Sequence, residues 1–181
     1  ICMMYRDFNV FWKQLHPYDV IINMASSLHK CVKVARMQPH THVINDEISL
    51  LIREATVGDA RGILSYLNDV GGESDFLTFG AGEFNLSERE ERDILHNYQD
   101  ADNQIYLLGL IDERIASILT FSAGQRPRTR HSGEFGMSVR QNYWGLGIGT
   151  LMVDALTAWA KQTDIIKKIN LRVRTDNPRA I

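Results

Sequence analysis

The chain has 181 residues, a formal net charge of −2 and 44% hydrophobic residues. That is room for one domain with a sizeable core, and a charge so near zero gives no global attraction to nucleic acid or an anionic membrane. No apolar run is long enough to span a bilayer and no secretory pattern stands at the start; with two cysteines, Cys2 and Cys31, too few for a disulfide framework, a soluble protein of the reducing cytoplasm is expected.

Residues 1–49 form a segment of uncertain role. Two apolar runs, at residues 5–10 and 18–24, read as a pair of strands separated by a polar gap. His16, His29, Cys31, His40 and His42 gather here, but their spacings repeat no zinc-ligand pattern, so no metal site is expected.

From residue 50 the pattern becomes regular. Residues 51–60 read as a strand running into a helix capped near Thr56 or Asp59. Helical patterns follow at residues 60–70 and 87–97, the second opening with Ser87 and Glu90 in a capping box. The charges at Glu88, Glu90, Glu91, Arg92 and Asp93 suggest that it carries a solvated face. Between the two helices, residues 71–86 are rich in glycine and aromatics, with Phe76, Phe79 and Phe84. This segment is too apolar for a free linker, and it either lines a pocket or closes the core. Residues 106–111 and 115–121 read as a hairpin of buried strands around a polar turn at residues 112–114, and the basic stretch at 126–131 as an exposed hairpin tip.

The most informative stretch comes next. Residues 133–140 alternate Phe135, Met137 and Val139 on one face, as a strand does. Trp144, Gly145, Leu146, Gly147, Ile148, Gly149 and Thr150 then form a glycine-rich turn feeding an amphipathic helix at residues 151–161. Amides at such a helix start converge on one spot and hold phosphate. A nucleoside-triphosphate loop would need a lysine before Thr150, where Gly149 stands, and a dinucleotide turn fits its flanks poorly. Residues 169–174 alternate again as a strand and end at Asp176, Asn177 and Pro178.

This order of strand, glycine turn, helix and strand resembles the GNAT superfamily of N-acetyltransferases over about residues 50–181. The family pattern Q/R-x-x-G-x-G/A maps onto residues 144–149, with Trp144 in place of the usual Gln or Arg. The opening at residues 51–60, the central hairpin, and Asn177 with Ala180 are similar to the family as well. The resemblance implies an α/β fold, a mixed and mostly antiparallel central sheet flanked by helices. The C-terminal part of that fold is missing or rearranged, because the sequence stops at Ile181 before the family's last helix and strands. Residues 5–24 look like the hairpin that usually closes such a sheet. An unfinished sheet edge would also favour a homo-oligomer.

The activity implied is transfer of an acetyl group from acetyl-CoA to a primary amine of a small molecule or polypeptide. The alternative is a catalytically idle acyl-CoA-binding module on the same fold. In this reading Met137, Ser138 and Val139 offer backbone groups to the pantetheine arm, residues 144–150 take the pyrophosphate, and Asn177 reaches the pantetheine or caps a helix. Glu134, near the start of the strand, is the expected general base for the amine.

Overall fold

The computed structural model describes residues 36–178 and residue 180. The strand pair expected at residues 5–24, with His16, His29 and Cys31, lies outside them, as does Cys2. Six strands form one sheet in chain order: β1 (His40–Val43), β2 (Ser49–Glu54), β3 (Gln104–Ile111), β4 (Arg114–Ala123), β5 (Ser132–Val139) and β6 (Lys168–Asn170). Every junction is antiparallel except β5 with β6, which is parallel. The sheet begins ahead of residue 50, since β1 pairs His40 with Ile52 and Val43 with Ser49.

β3 and β4 are buried on both faces, which is why they read as nearly continuous apolar runs. Asp112 and Glu113 join them with φ of 48° and 63°, two successive left-handed residues that match the twist of a tight hairpin. On one face α3 (Ile148–Thr163) lays Ile148, Met152, Leu156 and Trp159 over Leu107, Leu119 and Phe121. The Phe121 and Trp159 rings meet edge to face at 5.8 Å. On the other face α1 (Ala60–Val70) and α2 (Glu88–Asp100) bring Ile63, Tyr66, Leu67 and Leu95 onto Tyr106, Leu108 and Ile118. Each such large side chain stabilises the fold by about 1.5–3 kcal/mol relative to exposure.

Both helices on that face begin as their sequences direct. Thr56 and Asp59 form a capping box at the 3-10 turn that leads into α1, and Arg53 grips Asp59 with two hydrogen bonds of 2.8 and 2.7 Å. Ser87 and Glu90 do the same for α2: the Glu90 amide donates to the Ser87 hydroxyl, and the Ser87 amide donates to the Glu90 carboxylate.

Three expectations need correction. Glu91 is fully buried rather than solvated, because it falls on the same inward stripe as Leu95 and Tyr98 at helical spacing. The strand expected over residues 169–174 is seen among the described residues only as β6, Lys168–Asn170, and its ladder with β5 ends at Asn170. The helix expected from residue 151 starts earlier, at Ile148, because Gly147 in the left-handed region (φ 76°) turns the backbone directly into it and Ile148 drops into the core.

Candidate active site

β5 is the element on which the site is built. It pairs with β4 along its length, from Gly133 opposite Ala123 to Val139 opposite Ser117. With β6 it pairs only at Ser132, Gly133 and Glu134. Past Glu134 the two parallel strands part, leaving a wedge beside residues 135–139.

The phase of the antiparallel ladder decides what faces that wedge. Hydrogen bonds from the Gly124 amide to the Ser132 carbonyl and from the Arg140 amide to the Ala116 carbonyl fix residues 132, 134, 136, 138 and 140 as those bonded to β4. The backbone N–H and C=O groups of Phe135, Met137 and Val139 therefore point away from β4, toward the wedge. The Val139 carbonyl accepts the indole N–H of Trp144 at 2.7 Å, which ties the glycine turn to the strand end. Ser138, expected to contribute its backbone to the same edge, spends that backbone on Ile118 and offers its side chain to the opposite face.

At the head of the wedge stands the N-terminus of α3. Gly145 and Gly147 have φ of 81° and 76°, and a Cβ at either would meet only open space within 4 Å. Gly149 differs, since a Cβ there would lie 3.2 Å from the Met137 methyl; its bareness lets α3 sit close on β5. The first amide engaged within the helix is that of Leu151, bonded to the Gly147 carbonyl at 3.2 Å, so the amides of residues 147–150 are the helix's unsatisfied donors. Ile148 and Leu146 direct their side chains into the core, while Thr150 is exposed. Asn177 is buried in the turn that follows residue 174, its amide donating to the Arg174 carbonyl at 3.1 Å.

Glu134 lies between two strands, opposite Ser122 on β4 and Asn170 on β6. It is therefore not the solvated edge residue that a glutamate near a strand end usually is. Its side chain is 23% exposed and bonded to Arg172 at 3.0 Å. Alternation along β5 puts Glu134, Gly136 and Ser138 on the face covered by α1, α2 and the loop at residues 71–86.

A cavity of about 30 Å³ opens on that face. Its floor is Ile118 and Thr120 of β4 with Gly136 and Ser138 of β5, and its roof includes Leu77 and Phe79. The loop thus does both things expected of it: Leu77 and Phe79 line a pocket, and Phe84 closes the core against Phe79 at 5.1 Å between ring centres. Phe76 lies instead under the Arg174 guanidinium, 5.6 Å away.

Several residues were not legible as parts of a site. Tyr66 joins its hydroxyl to that of Ser138 at 3.0 Å. Arg140 lies over the Tyr66 ring at 5.1 Å and reaches Asp69 at 2.8 Å and the Ile115 carbonyl at 3.0 Å. Glu73 accepts the Gln141 amide at 2.6 Å. These contacts bind α1 and the loop after it to the segment that precedes the glycine turn. The only hint in the sequence was a tyrosine amid the aliphatic stripe of α1.

The acetyltransferase (GNAT) family model matches residues 75–181, which takes in the wedge, the turn and the cavity floor. The chain belongs to this family. An acetyltransferase of the GNAT family from Streptococcus pneumoniae is similar at 35% identity, with a TM-score of 0.70 over 72% of this chain and 78% of that one. A ribosomal-protein-alanine N-acetyltransferase from Brucella melitensis shares the fold at 20% identity and a TM-score of 0.58, over 71% and 77% of the two chains. So does an aminoglycoside acetyltransferase from an uncultured soil metagenomic sample, at 15% and 0.56, over 72% and 82%. A comparison with curated protein sequences returns no match.

As a GNAT-type N-acetyltransferase, the protein has acetyl transfer as its reaction, and the mixed α/β fold is the family's. The residues at the wedge fit a coenzyme A. Bare Cα atoms at Gly145 and Gly147 leave the amides of a helix start uncovered for a diphosphate, and the open edge of β5 supplies donors and acceptors at the spacing of an extended amide-containing arm. Burial pushes the Tyr66 hydroxyl pKa upward, and the hydrogen bond with Ser138 offsets only part of that, so Tyr66 stays protonated at working pH. Among the described residues no cluster of His, Cys, Asp and Glu suited to a metal ion occurs, and none of their helices is long and apolar enough to cross a membrane.

Proposed function

We propose that the protein transfers the acetyl group of acetyl-CoA to a primary amine of a small molecule or polypeptide in the cytoplasm, with Glu134 as the base. The observation that carries this is the double use of β5. Its backbone at Met137 and Val139 borders the wedge, while its other face carries Glu134 and, at the cavity, Gly136 and Ser138. Donor and acceptor would then meet across one strand.

When bound, acetyl-CoA supplies an acetyl group activated as a thioester. The amides of residues 145–150 hold the diphosphate, Asn177 and the edge of β5 hold the pantetheine, and an N–H of Met137 or Val139 donates to the acyl carbonyl oxygen as negative charge grows there. Glu134 removes one ammonium proton, freeing the nitrogen lone pair to attack the thioester carbon. As the carbon–sulfur bond breaks, the sulfur leaves with the electron pair as thiolate, which takes up the second proton lost by the nitrogen, giving the amide and the free thiol. Arg172, on the Glu134 carboxylate, fixes where that carboxylate points.

Thiol release from acetyl-CoA with a panel of amines tests the reading, set beside measured CoA binding. Glu134→Gln should lower kcat/KM by about 10²–10⁴-fold with CoA affinity unchanged. An equally active variant removes Glu134 from the reaction. CoA binding without thiol release above background, for any amine, would favour the idle acyl-CoA-binding module.

A further inference from the structure

The acceptor class can be narrowed, on the premise that acetyl transfer to an amine is the reaction. Three observations bear on it. The cavity, on the face of β5 that carries the Glu134 side chain, is lined by Leu67, Leu77, Phe79, Tyr106, Ile118 and Met137 with Thr120, Gly136 and Ser138, and none of these residues carries a charge. It is also small. At about 30 Å³ it compares with roughly 150 Å³ for a cavity that takes up benzene, so it suits a group of one to three carbons. Gly136, opposite Thr120, adds no side chain to this lining.

The third observation concerns the acidic residues that could have drawn a polycation. Glu88 is engaged by Arg61 at 3.3 Å and Arg92 at 2.6 Å, Glu90 belongs to the cap of α2, Glu91 is buried, and Asp93 is exposed but does not line the cavity. Glu134 itself is bonded to Arg172. A second ammonium drawn into this cavity would meet apolar side chains and hydroxyls with no carboxylate among them, and desolvating it there is unfavourable.

We infer that the acceptor is a primary amine whose neighbouring substituent is short and apolar, and that this substituent occupies the cavity between Leu77, Phe79 and the Thr120–Gly136 floor. Ser138, held by Tyr66, and Thr120 border the amine end, while Glu134 receives its proton. Polyamines and aminoglycosides are poor acceptors, because none of the described residues lining the cavity offers a carboxylate to their further ammonium groups.

The test uses the full chain with acetyl-CoA and four amines: isobutylamine, valine methylamide, spermidine and kanamycin. The first two should be used with kcat/KM at least about tenfold above the last two, the size of discrimination that one or two methylenes in an apolar pocket give. Phe79→Ala should enlarge the cavity and shift preference toward hexylamine over isobutylamine by about tenfold. If that variant does not fold, Leu77→Ala, at a half-buried loop position, should shift it the same way. Equal or better use of spermidine or kanamycin overturns this inference and leaves acetyl transfer standing. An unshifted size preference in a folded loop variant overturns the placement of the substituent. Release of no thiol with any amine, by a chain that binds CoA, overturns the inference together with the reaction on which it rests.

Discussion

The turn at residues 145–149 and the loop at residues 71–82 are both rich in glycine, yet the residue is put to opposite uses. In the turn, Gly145 and Gly147 take positive φ and face open space, so their bareness keeps amides uncovered. In the loop, a Cβ on Gly71 would lie 2.6 Å from the Gly80 carbonyl oxygen and 3.1 Å from the Phe79 ring, so its bareness lets two backbone segments touch. Gly145 and Gly147 leave a stretch of backbone bare; Gly71 lets the loop fold down so that Leu77 and Phe79 reach the sheet. Composition alone does not distinguish these roles, because each depends on what lies across from the missing side chain.

Substitutions separate them. The largest effect is expected at Gly71→Val, where the branched side chain must displace backbone rather than a flexible tip; a loss of about 3 kcal/mol should appear in urea unfolding. Folding as stable as that of the parent would show that the loop's contact with Gly80 is dispensable. Gly147→Ala should be milder in stability, about 1–2 kcal/mol for a left-handed alanine, with weakened CoA binding by calorimetry. Gly149→Ala, at an ordinary helical position facing only the end of Met137, should leave CoA affinity nearly unchanged. Equal behaviour of the two alanine variants would erase the distinction drawn within the turn.

The smallest effect concerns how the loop's layer is anchored. Burial raises the Asp59 pKa, but the hydrogen bonds from Arg53 and Thr56 outweigh it, and the net shift is downward. A carboxyl lowered in the folded state contributes stability that is complete above its unfolded value of about 3.9 and is lost as pH falls through the lower folded value. Asp59→Asn should thus cost about 1 kcal/mol at neutral pH, the usual worth of a cap, and the difference from the parent should shrink below about pH 4. A difference independent of pH, followed by thermal unfolding, would show that the Arg53 pair is not what secures the start of α1.

Much of this architecture was legible because it is local. The capping residues Ser87 and Glu90, the hairpin around Asp112 and Glu113, and the strand, turn and helix from residue 133 onward depend on short-range hydrogen bonding and periodicity, which sequence carries directly. Trp144 departs from the family's Gln or Arg, and its place became clear only when its indole was seen to bond the Val139 carbonyl. Glu91 was misread because a charged residue inside a charged run looks solvated until the helix is rotated against the sheet. The strand after Lys168 was misread at its far end because alternation shows a capacity for pairing and says nothing about whether a partner remains alongside.

The sequence by itself determined that a glycine-rich turn into a helix start follows a strand, and that this strand carries Glu134. Both follow from backbone chemistry within a few residues. Only the tertiary structure decided that β5 and β6 part after Glu134, that Ser138 turns from the wedge to meet Tyr66, and that Leu77 and Phe79 descend on Gly136. Those outcomes depend on the packing of segments far apart in the chain, where close fit between side chains selects one arrangement among many that local pattern allows.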